Sequence, residues 1–149
     1  MMHIAIIGAA ECDSELYSAA EAAGTLLAEM GAILLTGGLS GVMEAACKGA
    51  KSRGGTTVGV IPHLTGENSY TDIVIRTGLG QARNTVLVQS AGSIVAIGGE
   101  YGTLSEIALA LKLGKPVFGF RTWEIKGVNT CESPGDAVIK AVHASSRSQ

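Results

Sequence analysis

Short apolar runs that end in glycine recur along the chain, and they dictate most of what it can fold into. Residues 3–8 (HIAIIG), 32–38 (AILLTGG) and 93–99 (SIVAIGG) are the clearest. Each is too short for a stable helix, rich in β-branched residues, and closed by a residue that permits a sharp turn. That is the pattern of a strand buried on both faces. Residues 56–61 (TTVGVI, closed by Pro62), 72–76 (DIVIR) and 116–120 supply further strands. Helical spacing fills the intervals. Asp13 or Ser14 caps a first helix, which carries Leu16, Ala19, Ala20, Ala23, Leu26, Leu27 and Met30 on one side and stops at Gly31. A second helix is expected from about 41 to 53, and a third within 79–91. A fourth is expected over 104–113, with Leu104, Ile107, Ala108 and Leu111 inward. A closing helix over 136–144 precedes a frayed serine-rich end, and residues 63–71 and 121–133 read as irregular.

Strands alternating with helices of this length form βαβ units. Right-handed crossovers then give a doubly wound, mostly parallel sheet with helices on both faces, an α/β fold. No linker interrupts the pattern, so residues 1–149 are expected to form one domain. A hydrophobic share of 46% against 16% charged residues suits strands with little solvent-facing surface. Such sheets bind ligands at the carboxyl ends of their strands, near a reversal in strand order.

Several partners are disfavoured. The net charge is −2, acidic and basic residues are interspersed, and no basic stripe is present, so nucleic acid is not an expected partner. No apolar run reaches about 18 residues, so no membrane span is expected. The chain enters a strand pattern at once, without a leader pattern, which makes the cytoplasm the expected location. Cys12, Cys47 and Cys131 form neither a CxxC nor a ligand pattern and read as small apolar residues in a reducing compartment. His3, His63 and His143 are scattered, and no metal set is expected.

Two strand-to-helix loops stand out. The first runs Thr36-Gly37-Gly38-Leu39-Ser40-Gly41-Val42-Met43-Glu44, and the second Gly98-Gly99-Glu100-Tyr101-Gly102-Thr103-Leu104-Ser105-Glu106. Glycine lets a ligand approach the main chain, and a helix start offers unpaired N–H groups and partial positive charge, which suits phosphate. Neither loop is a P-loop, since no GK[ST] follows, and neither is GxGxxG after the first strand. Plain turn chemistry is the competing explanation. Thr103-x-x-Glu106 has capping-box spacing, which by itself favours a structural cap. Ser40 reads as an N-cap, Glu44 complements the helix dipole, and Arg83, met without context, reads as a solvated or salt-bridged side chain.

With Arg83 upstream and an apolar strand before it, the second loop resembles the LONELY GUY (lysine-decarboxylase-like) family. Those enzymes carry Pro-Gly-Gly-x-Gly-Thr-x-x-Glu and an upstream arginine. The resemblance runs from Ile4 to about Phe118 and includes Thr36-Gly37-Gly38 with Gly41-Val42-Met43, and Gly98-Gly99 with Gly102-Thr103-x-x-Glu106. It implies a Rossmann-like homodimer or homotetramer, and hydrolysis of the N-glycosidic bond of nucleoside 5′-monophosphates with Arg83 and Glu106 as catalytic residues. Ile97 stands in place of the motif's proline, Glu100 and Tyr101 occupy the space of one residue, and Asn84 follows Arg83 where lysine is usual. These departures resemble a sister group related to DNA-processing protein A that includes the small molybdenum cofactor carriers. That resemblance implies binding of a phosphorylated nucleotide or molybdopterin-type ligand, with no further cofactor required. The ligand would lie against Gly8, Gly37, Gly38, Ser40, Gly41, Val42 and Met43 on one side. Arg83, Asn84, Gly98, Gly99, Glu100, Tyr101, Gly102 and Thr103 would meet it on the other.

Overall fold

In the computed structural model, which describes residues 1–147, all seven strands belong to one parallel sheet. The strands are β1 (His3–Ile7), β2 (Ile33–Thr36), β3 (Thr57–Ile61), β4 (Ile73–Arg76), β5 (Ser93–Ile97), β6 (Val117–Phe120) and β7 (Val128–Thr130). Their spatial order is β4-β3-β2-β1-β5-β6-β7. The chain builds outward from β1 to β4, then returns to place β5 on the other side of β1, where Ala5 pairs with Leu35 of β2 and with Ile94 of β5. That return is the reversal point of a Rossmann-like sheet.

The helices are α1 (Ser14–Glu29), α2 (Val42–Lys51), α3 (Arg83–Ser90), α4 (Tyr101–Lys112) and α5 (Pro134–Arg147). Alternation along β1 divides the core. Ile4 and Ile6 face a layer made by α1, α2 and α5, while Ala5 and Ile7 face α3 and α4. Asp13 is the cap of α1, accepting the Leu16 N–H at 2.8 Å. Leu87 and Val88 of α3 and Ala45, Ala46 and Ala50 of α2 are buried in the core. β7 was not expected. Its three residues, Val-Asn-Thr, are half-buried or exposed at a sheet edge, so they carry no apolar run. The fourth helix begins three residues before the expected Leu104, and its Ala108 is exposed, the inward stripe being Thr103, Glu106, Ile107 and Ala110. The expected frayed end falls partly on residues 148–149, outside the described residues, while Ser145 and Ser146 lie within α5.

Helices α1 and α2 pack backbone to backbone. A Cβ on Gly24 would collide with the carbonyl oxygen of Ala46, and one on Gly49 with that of Glu21. Gly24→Ala is therefore expected to destabilise the fold by about 3 kcal/mol, the upper end of overpacking costs, despite alanine's better helix propensity. Urea denaturation checks this, and an unchanged midpoint would contradict it.

Candidate functional site

A cleft of about 550 Å³ opens at the carboxyl ends of the strands flanking the reversal point. Gly8, Ala9, Ala10 and Glu11 line it where the chain leaves β1. Leu39 and Met43 come from the first glycine loop, and Gln81, Arg83 and Asn84 from the entry to α3. Glu100, Gly102, Thr103 and Glu106 close it from the start of α4. Eight of the residues expected from sequence thus meet in one place: Gly8, Met43, Arg83, Asn84, Glu100, Gly102, Thr103 and Glu106.

The two loops differ in how their backbone is used. The first is closed on itself. Gly38 N–H donates to Thr36 Oγ1 at 3.0 Å, Val42 N–H to the Ala9 carbonyl at 3.1 Å, and Ser40 Oγ to the Ala10 carbonyl at 2.8 Å. Asn68 clamps it further by donating to the carbonyls of Gly38 and Leu39. Ser40 is therefore not the cap. Gly41 holds that position with φ of 63°, a left-handed turn against the Ala9 carbonyl that leaves no room for a side chain. Gly37, Gly38, Ser40, Gly41 and Val42 stand behind the cleft wall rather than in it.

The second loop is open. Because α4 begins at Tyr101, Thr103 is its third residue and Glu106 its sixth. The capping box does not form; Glu100 holds the cap position and makes no side-chain cap bond. The N–H groups of Tyr101, Gly102 and Thr103 have no partner within the described protein, and Leu104 N–H is the first to bond, to the Glu100 carbonyl at 3.0 Å. Gly98, Gly99 and Tyr101 support this turn without lining the cleft, Gly99 lying directly beneath the Thr103 side chain.

Arg83 is buried rather than solvated, and makes no ion pair within 4 Å. Its Nη1 donates to Asn84 Oδ1, and its buried Nε has no hydrogen-bond partner. Space for the guanidinium exists because residue 37 is glycine: a Cβ there would lie 2.8 Å from Nη2. Asn84 Nδ2 donates to Ser105 Oγ at 3.2 Å, and Ser105 Oγ to the Gly102 carbonyl at 2.7 Å, which fixes α3 against the open turn. Glu106 is buried in the same cleft, and its carboxyl has no hydrogen-bond partner among the described residues. Burial pushes its carboxyl up to about 7, partly offset by the positive charge of Arg83. Burial pulls the Arg83 guanidinium below its ordinary value, and Glu106 opposes that. The arrangement can hold an oxyanion through charge-assisted and backbone donors, beside a carboxyl that exchanges its proton near neutrality.

Sequence reasoning missed Ala9, Ala10, Glu11, Leu39 and Gln81. The first three follow Gly8 at the end of a central strand, so the strand-end rule could have found them. Among the described residues no group of three or more His, Cys, Asp or Glu is placed to hold a metal ion, and all three cysteines are free.

Fold and site together define a parallel α/β protein with a cleft at its reversal point, one glycine loop sealed and the other open. The chain belongs to the SLOG cluster4 family, whose sequence model matches residues 1–147. It is 46% identical over 147 residues to an uncharacterized protein of Archaeoglobus fulgidus, covering 97% of each chain. Two of the similar solved structures follow. The molybdenum cofactor binding protein from the phototrophic bacterium Rippkaea orientalis shares 35% identity at a TM-score of 0.89, over 95% of this chain and 97% of that one. The molybdenum cofactor carrier protein from Chlamydomonas reinhardtii shares 36% identity at a TM-score of 0.88, over 97% and 98%.

The raised Glu106 pKa makes stability depend on pH. The folded state holds this proton more tightly than the unfolded chain, so its contribution to stability falls as pH rises from about 4.5 to about 7 and levels off above. The full penalty is of order 3 kcal/mol. Glu106→Gln is expected to be more stable than the parent at pH 8 and to show little advantage at pH 4.5. Denaturation of both proteins at the two pH values checks this, and a difference independent of pH would contradict it.

Proposed function

We propose that this protein binds and carries a phosphorylated, nucleotide-like cofactor of the molybdopterin type in the cleft between β1, α3 and α4. One observation supports this most: buried Arg83, with donor capacity left over at Nε, shares the cleft with Gly102 and Thr103, whose N–H groups at the start of α4 are unpaired among the described residues. A helix start of this kind favours an anion, and an adjacent guanidinium adds a charge-assisted bond. Two of the similar solved proteins are a molybdenum cofactor binding protein and a carrier of that cofactor, which supports the same class of cargo here. Leu39 and Met43 offer apolar wall for the rest of the ligand. The carrier acts in the cytoplasm as a homodimer or homotetramer and does not bind nucleic acid. No described helix is long and apolar enough to cross a membrane. The exposed Leu64, Ile73, Ile75 and Leu79 near the β4 edge provide apolar surface for a second copy.

Hydrolysis of nucleoside 5′-monophosphates is the second reading, favoured by the placement of Glu106. A carboxyl that titrates near 7 can exchange protons with a leaving base or a water, and Glu100 is a second carboxylate in the same cleft. The two readings separate in one assay. The protein is incubated with nucleoside 5′-monophosphates and with molybdopterin-type cofactor, and thermal stabilisation and free base are both followed. A carrier is stabilised and releases no base. Base release that disappears in Glu106→Gln would establish the hydrolase instead. Arg83→Ala is expected to weaken ligand affinity about 10- to 100-fold, the value of a hydrogen bond to a charged group. Calorimetric titration measures this, and an unchanged affinity would remove Arg83 from the site.

A further inference from the structure

Two aromatic side chains beside the cleft take no part in the phosphate site described above. Tyr101, the first residue of α4, is 78% exposed, although it stands between Glu100 and Gly102, which both line the cleft. Its ring stacks on Trp123, with centroids 6.0 Å apart and planes inclined by 29°. Trp123 lies in the connection from β6 to β7, and that connection is tied to the open glycine loop. The indole N–H donates to the Glu100 carbonyl at 3.1 Å, and the neighbouring Thr122 hydroxyl donates to the Gly98 carbonyl. Arg121 pairs with Glu15 at 2.9 Å, which anchors the same segment to α1. The indole is thus held against the turn that carries the unpaired N–H groups, and the tyrosine ring on it remains largely in water.

A covering role would bury the ring that does the covering. Tyr101 instead leaves most of its surface free, stacked on an indole whose segment is held by three tethers. Fixed aromatic rings with a free face suit stacking of another planar ring, which every purine or pterin presents. We propose that Tyr101 and Trp123 form a stacking platform for the heteroaromatic ring of the ligand whose phosphate sits at the start of α4. This inference rests on the phosphate site of the preceding section and adds the residues that hold the purine or pterin ring, so that a bare sugar phosphate is not enough.

Trp123 is the chain's one tryptophan, so it reports directly on the platform. The full-length protein is titrated with guanosine 5′-monophosphate, with a pterin phosphate and with ribose 5-phosphate, following tryptophan emission and, in parallel, heat by calorimetry. The ring-bearing probes are expected to quench the emission, and ribose 5-phosphate to bind more weakly without quenching. Tyr101→Ala should weaken the ring-bearing probes about tenfold and leave ribose 5-phosphate unchanged, whereas Tyr101→Phe keeps the parent affinity. The exposed site makes both variants compatible with folding, and circular dichroism verifies it. Ring-bearing probes that bind Tyr101→Ala as tightly as the parent, without quenching, would overturn the platform and leave the phosphate site standing. Heat from none of the three probes would overturn the phosphate site, and the platform with it.

Discussion

β1 is paired on both sides by strands whose helices leave in opposite directions, and that constraint produces the site. α1 and α2 must cover one face of the sheet because β1, β2 and β3 advance one way. α3 and α4 must cover the other because the chain returns to place β5 beside β1. Between the two sets the sheet's carboxyl edge has no helix across it, and the loops leaving β1, β2 and β5 diverge around a gap. The close contact of α1 with α2 through Gly24 and Gly49 tightens one side of this frame. The gap persists because no loop crosses it, and polar groups can therefore be aimed into it.

Burying a guanidinium and a carboxyl in the same gap without joining them is energetically unusual. Two such groups in contact would neutralise each other, and a well-formed pair would leave little for a ligand. Here burial raises the Glu106 carboxyl and lowers the Arg83 guanidinium, and the attraction between them offsets only part of either change. Arg83 bonds to Asn84 and keeps its Nε unpaired. The cost is borne by a frame rigid enough to prevent collapse, since Asn84, Ser105 and Gly102 link α3 to the start of α4. The two buried ionisable groups therefore stay side by side with much of their burial cost uncompensated by each other.

The sheet was legible because apolar runs closed by glycine are a local signal; residues 93–97 were read as a strand with the same bounds that the structure shows. The site was legible only as a set of residue types. Glu100 and Gly102 look like loop residues, so the fourth helix was started at Leu104, and that error turned Thr103 and Glu106 into a capping box. Arg83 looked solvated because burial is decided by Gly37, forty-six positions away in sequence, whose missing side chain makes the space. Similarly, nothing local shows that Ala9 and Ala10 take up the donors of the first loop. Hydrogen-bond supply between distant segments is a tertiary property.

The two glycine loops meet unequal fates. Both offer the same inventory of glycines and a helix start. In the first, Val42 N–H and the Ser40 hydroxyl are taken by carbonyls of the β1 exit, and Asn68 holds the loop from the other side. A phosphate there would have to displace bonds already made, with little net gain. In the second, the donors at Tyr101, Gly102 and Thr103 are free, and Trp123 and Thr122 hold the loop by its carbonyls, not its amides. Anchoring through carbonyls leaves the N–H groups available, so the turn is rigid and still unsatisfied. The first loop thus has its donors taken and the second keeps them free, a division that their sequences, read as glycine patterns, do not reveal.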